Sequence, residues 1–242
     1  MRLQVEISTA AREIPWDCVL KPGRAVCYSL LATGAPELGR MLHEQGWGPY
    51  GMVPFGFSGP LFPTAPRRRG VYAAGGRGVL EFGSPLPDVV MAWSAALAAR
   101  ELIDWGGVAL QVHGVGLAEP SGAAGPRSRF RALTPVVMKG SGRDDSGARA
   151  TRQAWVLPGE AEYPAYLENN LRRKAETLGL APEVTLEQLT WIGPKRSFAV
   201  GDGKKPGAPV EAELSGSPEV LAAIRDWGLG QANSAGFGWV LA

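Results

Sequence analysis

Histidine is the residue type here that is best suited to proton transfer near neutral pH, and the chain has two, His43 and His113. His43 falls in a stretch, residues 36–46, whose spacing predicts a helix that begins at a proline and ends at a glycine. It lies about 140° around this helix from the apolar stripe, at 100° per residue, the stripe being Leu38, Met41 and Leu42. The spacing therefore predicts an exposed histidine, with Arg40 one turn earlier on the same side.

His113 is placed differently, in the middle of an alternating run that predicts a strand, and a structural role is expected for it. Neither histidine begins an HxT or HxS motif, which argues against a two-histidine phosphoesterase. A metal site is not predicted either. The only adjacent carboxylates, Asp144 and Asp145, lie in a Gly- and Ser-rich stretch, and Cys18 and Cys27 form no CxxC pair.

Residues 228–238 read GLGQANSAGFG, with four glycines in eleven residues: Gly228, Gly230, Gly236 and Gly238. Glycine permits unusual backbone angles and close approach of a ligand, and free N–H groups in such a loop can hold phosphates. The side chains of Asn233 and Ser234 would assist. The spacing does not fit a dinucleotide fingerprint, which opens a helix inside a βαβ unit. An alternative is that the glycines only shape a tight turn.

Positive charge is concentrated in residues 121–152, although the net charge of the chain is only +2. Seven basic residues face two aspartates there, the basic ones being Arg127, Arg129, Arg131, Lys139, Arg143, Arg149 and Arg152. Such a patch attracts phosphates, although a solvated basic loop has the same composition. No apolar run of about 18 residues and no signal peptide are found, so a soluble cytoplasmic protein without a membrane association is expected.

The pattern of elements predicts an α+β fold in two similar halves. In the first half, strands are expected at 1–8, 25–32, 53–62, 78–82 and 108–117, and helices at 36–46 and 88–105. In the second, strands are expected at 130–139, 184–192, 195–200, 210–215 and 237–241, and helices at 164–179 and 218–227. Each half reads roughly as β-α-β-β-α-β, which predicts tandem ferredoxin-like domains. The Gly-, Ala-, Ser- and Pro-rich residues 119–126 mark the junction, giving domains 1–122 and 127–242.

The glycine-rich segment resembles the signature of the CRISPR-associated endoribonucleases that process repeat RNA, within the RAMP superfamily. Three further segments agree and occur in that family's order: LHEQG at 42–46 followed by PFGFS at 54–58, TPVVMK at 134–139, and the helix at 167–180. Together they span most of the chain. The pairing of His43 with the PFGFS segment favours a processing nuclease over non-cutting relatives.

The resemblance implies a metal-independent enzyme without cofactors that cleaves CRISPR repeat RNA in precursor transcripts. His43 would act as general acid or base in the attack of a 2′-hydroxyl, and Tyr28, placed in the strand predicted at 25–32, would aid proton transfer or orientation. The products would carry a 5′-hydroxyl and a 2′,3′-cyclic phosphate. The RNA would be held by the glycine-rich segment and by basic residues including Lys139, Arg129 and Arg131.

One departure from the family pattern concerns lysine. Many relatives supply a lysine near the histidine, but this chain has none between Lys21 and Lys139. Either an arginine such as Arg40 stabilises the transition state, or cleavage uses fewer groups and is slow. A non-catalytic RAMP subunit that coats guide RNA in a surveillance complex therefore remains an alternative. A general RRM-like module is a weaker one, since no RNP1-like run is present. Other CRISPR-associated subunits and a second copy of the chain are further candidate partners.

Overall fold

A computed structural model describes residues 1–118, 125–140, 155–200 and 203–241. Within residues 1–118, the first half forms seven strands and three α-helices. The strands are β1 (Arg2–Thr9), β2 (Glu13–Ile14), β3 (Gly56–Phe57), β4 (Tyr72–Ala73), β5 (Gly76–Gly83), β6 (Leu102–Trp105) and β7 (Val108–Leu117). The helices are α1 (Gly23–Gly34), α2 (Pro36–Glu44) and α3 (Pro87–Ala98). None of the helices in the described ranges is long and apolar enough to cross a membrane.

The main sheet of this half is antiparallel, with strand order β3-β5-β1-β7-β6. Strand β1 lies in the centre because its alternate residues, Leu3, Val5 and Ile7, are fully buried and pack against the helices. Helices α1 and α3 contact each other on that face. Four of the strands have the order of a ferredoxin-like sheet, and β6 extends its edge as a hairpin with β7.

Three predictions for the first half are wrong. The strand predicted at 53–62 is limited to β3 and an isolated bridge at Leu61. Residues 25–32, which were predicted to form a strand, belong to helix α1. The buried positions show the reason, since they recur at helical spacing: Gly23, Val26, Cys27, Leu30 and Leu31. The helix predicted at 88–105 ends at Ala98, and residues 102–105 instead form β6. Gly106 and Gly107, which both have positive φ angles, form the turn of the β6–β7 hairpin.

The described residues of the second half form seven strands and two α-helices. The strands are β8 (Arg127–Arg131), β9 (Met138–Lys139), β10 (Trp155–Val156), β11 (Val184–Ile192), β12 (Arg196–Val200), β13 (Gly203–Gly207) and β14 (Val210–Gly216). The helices are α4 (Tyr163–Thr177) and α5 (Pro218–Trp227). The sheet has the order β11-β14-β8, and Val240 bridges to Ala132 beyond β8. The strand predicted at 237–241 is thus reduced to a single bridge at Val240. This bridge occupies the place of the fourth strand in a ferredoxin-like sheet.

Each half has its own hydrophobic core: one draws on residues 3–110 and the other on residues 130–240. The fold is therefore α+β with tandem ferredoxin-like domains. The predicted boundaries, 1–122 and 127–242, stay a prediction, since residues 119–124 lie outside the described part of the chain.

Trp239 and Val240, near the end of the chain, contact residues of the N-terminal domain. Arg2 of β1 is buried, donates to the Val240 carbonyl at 2.7 Å, and lies 4.0 Å from the Trp239 ring. The Trp239 indole N–H donates to Glu81 of β5 at 2.9 Å. Desolvation lowers the pKa of Arg2 to about 10, and the carboxylates of Glu81 and Asp226 oppose this decrease. The segment after the glycine-rich loop is thus packed on the N-terminal sheet.

Candidate functional site

His43 and Tyr28 form a ring pair at the surface of the N-terminal domain. His43 lies in the last turn of α2 and is exposed, as its position opposite the apolar stripe predicted. Tyr28 lies in α1, and the two ring centroids are 5.0 Å apart with planes at 83°. Phe55 packs on Tyr28 at 5.5 Å. The edge-to-face contact restricts the orientation of the imidazole while leaving it accessible to a ligand.

The hydroxyl of Tyr28 is protonated at neutral pH. Desolvation raises its pKa, and the positive charge of Arg24 only partly opposes this increase. Arg24 is one turn earlier on α1, with its guanidinium 5.7 Å from the Tyr28 ring centroid. A protonated tyrosine is a hydrogen-bond donor and cannot act as the base. The pair therefore suits a histidine that transfers protons and a tyrosine that orients it.

Arg40 lies three residues before His43 on α2, as the helix spacing predicted. Its guanidinium pairs with the carboxylate of Glu37, three residues earlier on α2. The two side chains are 63% and 79% exposed, so the pair is a surface salt bridge of small energy. The described contacts do not join Arg40 to His43 or Tyr28.

The loop after α2 fixes the end of the His43 helix against the second domain. Gly48 has a φ of 64°, and a Cβ there would lie 2.4 Å from the carbonyl oxygen of Thr177 at the end of α4. Tyr50 hydrogen-bonds Glu176 of the same helix. The Thr177 hydroxyl contacts the Met52 sulfur at 3.4 Å. The position of His43 relative to the C-terminal domain thus depends on this contact.

The glycine-rich segment, residues 228–238, is folded tightly on itself, and its four glycines are buried. All four have positive φ angles, as does Ala232 at 58°. A Cβ at Gly238 would lie 1.8 Å from the Leu229 carbonyl oxygen, and one at Gly236 would lie 2.8 Å from the Phe57 ring. These glycines are thus required by packing within the protein.

Asn233 forms the centre of this loop. It is 4% exposed, and its amide donates to the carbonyls of Leu229 at 3.0 Å and Phe237 at 2.9 Å. Its carbonyl oxygen accepts from the ammonium of Lys174, on α4, at 2.8 Å. Lys174 is itself buried, donates to the Gly228 carbonyl and lies 4.8 Å from the Trp227 ring. The Asn233 side chain therefore holds the loop in shape, while the Ser234 side chain is only half-buried and can reach a ligand.

Replacing Lys174 by methionine is expected to lower the free energy of unfolding by about 1–3 kcal/mol, because two buried acceptors lose their donor. Burial also lowers the pKa of Lys174 well below its ordinary value. The unfolded chain therefore binds this proton more tightly than the folded chain. Unfolding free energy should rise with pH up to the ordinary lysine pKa of about 10.4, and the variant should lose this rise. Denaturant titrations at several pH values test this, with the exposed Lys195→Met as control.

A cleft of about 510 Å³ lies between the two domains, next to the glycine-rich segment. Met52 and Val53 line it from the loop after α2. The second domain contributes basic and polar residues, among them Lys139, Arg173 and Ser234, together with Gly230. The structure thus brings Lys139 and the glycine-rich segment together at one cleft. The loop that follows the His43 helix lines the same cleft.

Arg129 and Arg131 lie on a different surface. Their side chains project from the outer face of the C-terminal sheet, alternating with the buried Phe130. Arg129 pairs with Glu213 at 2.6 Å, and Arg131 lies 3.9 Å from Glu211. A ligand phosphate on this face would have to compete with these carboxylates.

His113 is exposed on β7 and shares a hydrogen bond of 2.7 Å with the Ser8 hydroxyl. Within the described ranges, no three His, Cys, Asp or Glu side chains converge as metal ligands would. The predicted basic residues Arg143, Arg149 and Arg152 and the pair Asp144 and Asp145 lie outside those ranges.

A family model described as "CRISPR associated protein Cas6, C-terminal" matches residues 118–241, just over half of the chain. The chain belongs to the Cas6 family. The family predicted from the glycine-rich segment is thereby confirmed, and the Cas6 model covers that segment together with α4, α5 and the C-terminal sheet. No curated protein sequence matches the chain significantly.

Solved structures extend the likeness to Cas6 over both domains. A protein described as "CRISPR associated protein Cas6" is 19% identical, with a TM-score of 0.78 over 100% of this chain and 98% of that one. A RAMP protein described as binding different RNA substrates is 16% identical, with a TM-score of 0.78 over 99% and 98%. The product of a Cas6-related gene from Pyrococcus furiosus is 14% identical, with a TM-score of 0.78 over 100% and 97%. The tandem ferredoxin-like fold is thereby confirmed.

Proposed function

We propose that this chain is a metal-independent endoribonuclease that cleaves CRISPR repeat RNA in precursor transcripts and so releases guide RNAs. The observation that carries the proposal is the exposed imidazole of His43, held edge-to-face by Tyr28. Membership of the Cas6 family supports repeat RNA as the substrate. So does the likeness, over nearly its whole length, to structures described as Cas6.

The chemistry needs no external nucleophile. The 2′-hydroxyl oxygen attacks the adjacent phosphorus as its proton leaves to a base, and the bond to the 5′-oxygen breaks as that oxygen gains a proton from an acid. The products carry a 2′,3′-cyclic phosphate and a 5′-hydroxyl. His43 would perform one of the two proton transfers, and the protonated Tyr28 would orient its ring.

The RNA would enter the cleft between the domains. Lys139 and Ser234 line this cleft and would contact the backbone. The buried glycines and Asn233 would act indirectly, by holding the shape of the loop that carries Ser234. Arg129 and Arg131 would add a second, weaker contact region on the outer sheet, because carboxylates already pair with them.

The test is cleavage of the host's own repeat RNA in EDTA, with chemical analysis of both product ends. We expect one cut, which leaves a 2′,3′-cyclic or 3′-phosphate and a 5′-hydroxyl. A 5′-phosphate product, or cleavage that appears only after addition of a divalent metal ion, would contradict the proposed mechanism.

A second candidate function is RNA binding without cleavage. It is favoured by the position of Arg40, which pairs with Glu37 and leaves His43 without a basic neighbour among its described contacts. The similar RAMP structure is described only as binding RNA substrates. Tight binding of repeat RNA by a wild-type protein that never cuts it would establish this function instead.

A further inference from the structure

Arg24 contacts one member of the candidate catalytic pair, Tyr28 and His43, from within the N-terminal domain. It lies in the first turn of α1, and its guanidinium is 5.7 Å from the centroid of the Tyr28 ring. That ring is in turn 5.0 Å from the His43 ring. Among the residues that the structure describes, no other cation makes a ring contact with Tyr28 or His43. The Tyr28 ring therefore links this positive charge to the candidate catalytic histidine.

The Tyr28 hydroxyl is close to both Arg24 and the last turn of α2. It donates to the Leu42 carbonyl at 3.5 Å, and Leu42 directly precedes His43. The positive charge of Arg24 acts on the same hydroxyl, where it opposes the increase in pKa that burial causes. The guanidinium therefore lies beside the end of the helix that carries His43.

Within the described ranges, no carboxylate neutralises the charge of Arg24 by an ion pair. The first turn of α1 contains no acidic residue, so the guanidinium lies at the positive end of the helix dipole without a counter-charge. Arg40, by contrast, is paired with Glu37 on α2. A cation at this end of a helix lowers stability, and an anion bound beside it would offset that loss.

The proposed reaction has a specific need for a positive charge beside the phosphate. When the 2′-hydroxyl oxygen attacks the phosphorus, the two non-bridging oxygens gain negative charge before the bond to the 5′-oxygen has broken. A donor aimed at these oxygens stabilises the transition state more than the ground state. A guanidinium suits this role, because it offers N–H groups in a planar fork and keeps its own proton at neutral pH.

We propose that Arg24 donates hydrogen bonds to the non-bridging oxygens of the scissile phosphate and is a catalytic residue in addition to His43. This role rests on the function proposed above and adds one residue to it. The bond between the 2′-oxygen and phosphorus forms, and the bond to the 5′-oxygen breaks, while Arg24 exchanges no proton and forms no covalent bond. Tyr28 orients the His43 ring and also contacts the Arg24 guanidinium.

Single-turnover cleavage of the host's repeat RNA in EDTA, at saturating protein, tests this role. Arg24→Ala should slow cleavage by about 10²–10³-fold, the loss expected for one donor to a developing oxyanion. Arg24→Lys should recover part of the rate, because it keeps the charge but not the fork. Arg24→Ala should melt no lower than the wild type, since the charge that it removes is exposed and lies at the positive end of a helix. Arg77→Ala, which removes an exposed arginine of β5, should cut at the wild-type rate.

A phosphorothioate at the cleavage position separates contact with the phosphate from a structural role. Sulfur replaces one non-bridging oxygen, accepts hydrogen bonds more weakly, and gives two diastereomers. The wild type should cut one diastereomer more slowly than the other, and Arg24→Ala should lose most of this difference.

Two results would overturn the role of Arg24 while leaving the nuclease intact. One is an Arg24→Ala variant that cuts as fast as the wild type, whether or not Arg40→Ala is slower. The other is a slow Arg24→Ala variant that keeps the wild-type difference between the two diastereomers. A wild-type protein that never cuts repeat RNA would overturn both this role and the proposed function.

Discussion

Replacing His43 by alanine is expected to slow cleavage of repeat RNA by about 10²–10⁴-fold, the range for loss of one positioned acid or base. RNA affinity should fall far less, because His43 is a single exposed side chain and does not line the cleft that holds Lys139 and Ser234. The variant should also fold normally, since the imidazole that it lacks is not part of either core in the wild-type protein. Single-turnover cleavage in EDTA, together with a binding isotherm on the same RNA, separates the rate effect from the affinity effect.

His113→Ala is the matched control, because it removes the other histidine, which is also exposed and whose described hydrogen bond is to Ser8. It should cut at the wild-type rate. Tyr28→Phe should slow cleavage less than His43→Ala, because the ring that orients His43 is retained while the hydroxyl is lost. If His43→Ala cuts as fast as wild type and His113→Ala does not, the assignment of the acid or base to His43 is wrong.

The sequence predicted those parts of the fold in which burial has a clear period. Helices α2, α4 and α5 and strands β1, β7 and β11 fall where the pattern placed them, each with one buried face. Helix α1 was missed, although its buried positions have a helical period. Tyr28 therefore faces His43 from a neighbouring helix. The sequence spacing alone does not show how closely the two rings approach each other.

The functional site was less predictable than the fold. The exposure of His43 depends only on its own helix and was predicted from the stripe of Leu38, Met41 and Leu42. By contrast, Met52 and Lys139 are far apart in the sequence, and only the packing of the two domains brings them to one cleft. Lys174 reads in the sequence as one more basic residue of an amphipathic helix. It is buried because the glycine-rich loop packs against it in the folded structure.

Replacing Gly238 by alanine is expected to lower the free energy of unfolding by more than about 4 kcal/mol, a loss seen only with severe steric or polar disruption. Its φ of 64° already disfavours a side chain, and the added Cβ would lie 1.8 Å from the Leu229 carbonyl oxygen. The backbone cannot move away easily. The Gly238 N–H donates to Pro135, and its carbonyl accepts from the Leu229 N–H at 2.8 Å.

Gly179→Ala separates backbone strain from this collision. Gly179 has a φ of 71° at the end of α4, but a Cβ there would meet no atom within 4 Å. That variant should lose only about 1–2 kcal/mol, the cost of a left-handed backbone. Denaturant titrations of both variants measure the difference. If Gly238→Ala unfolds like wild type but loses RNA affinity, this glycine serves the approach of RNA and is not required by the packing of the protein. A large loss of stability would mean that the glycine-rich signature preserves the shape of the loop, through which Ser234 and the neighbouring Lys139 are held at the cleft.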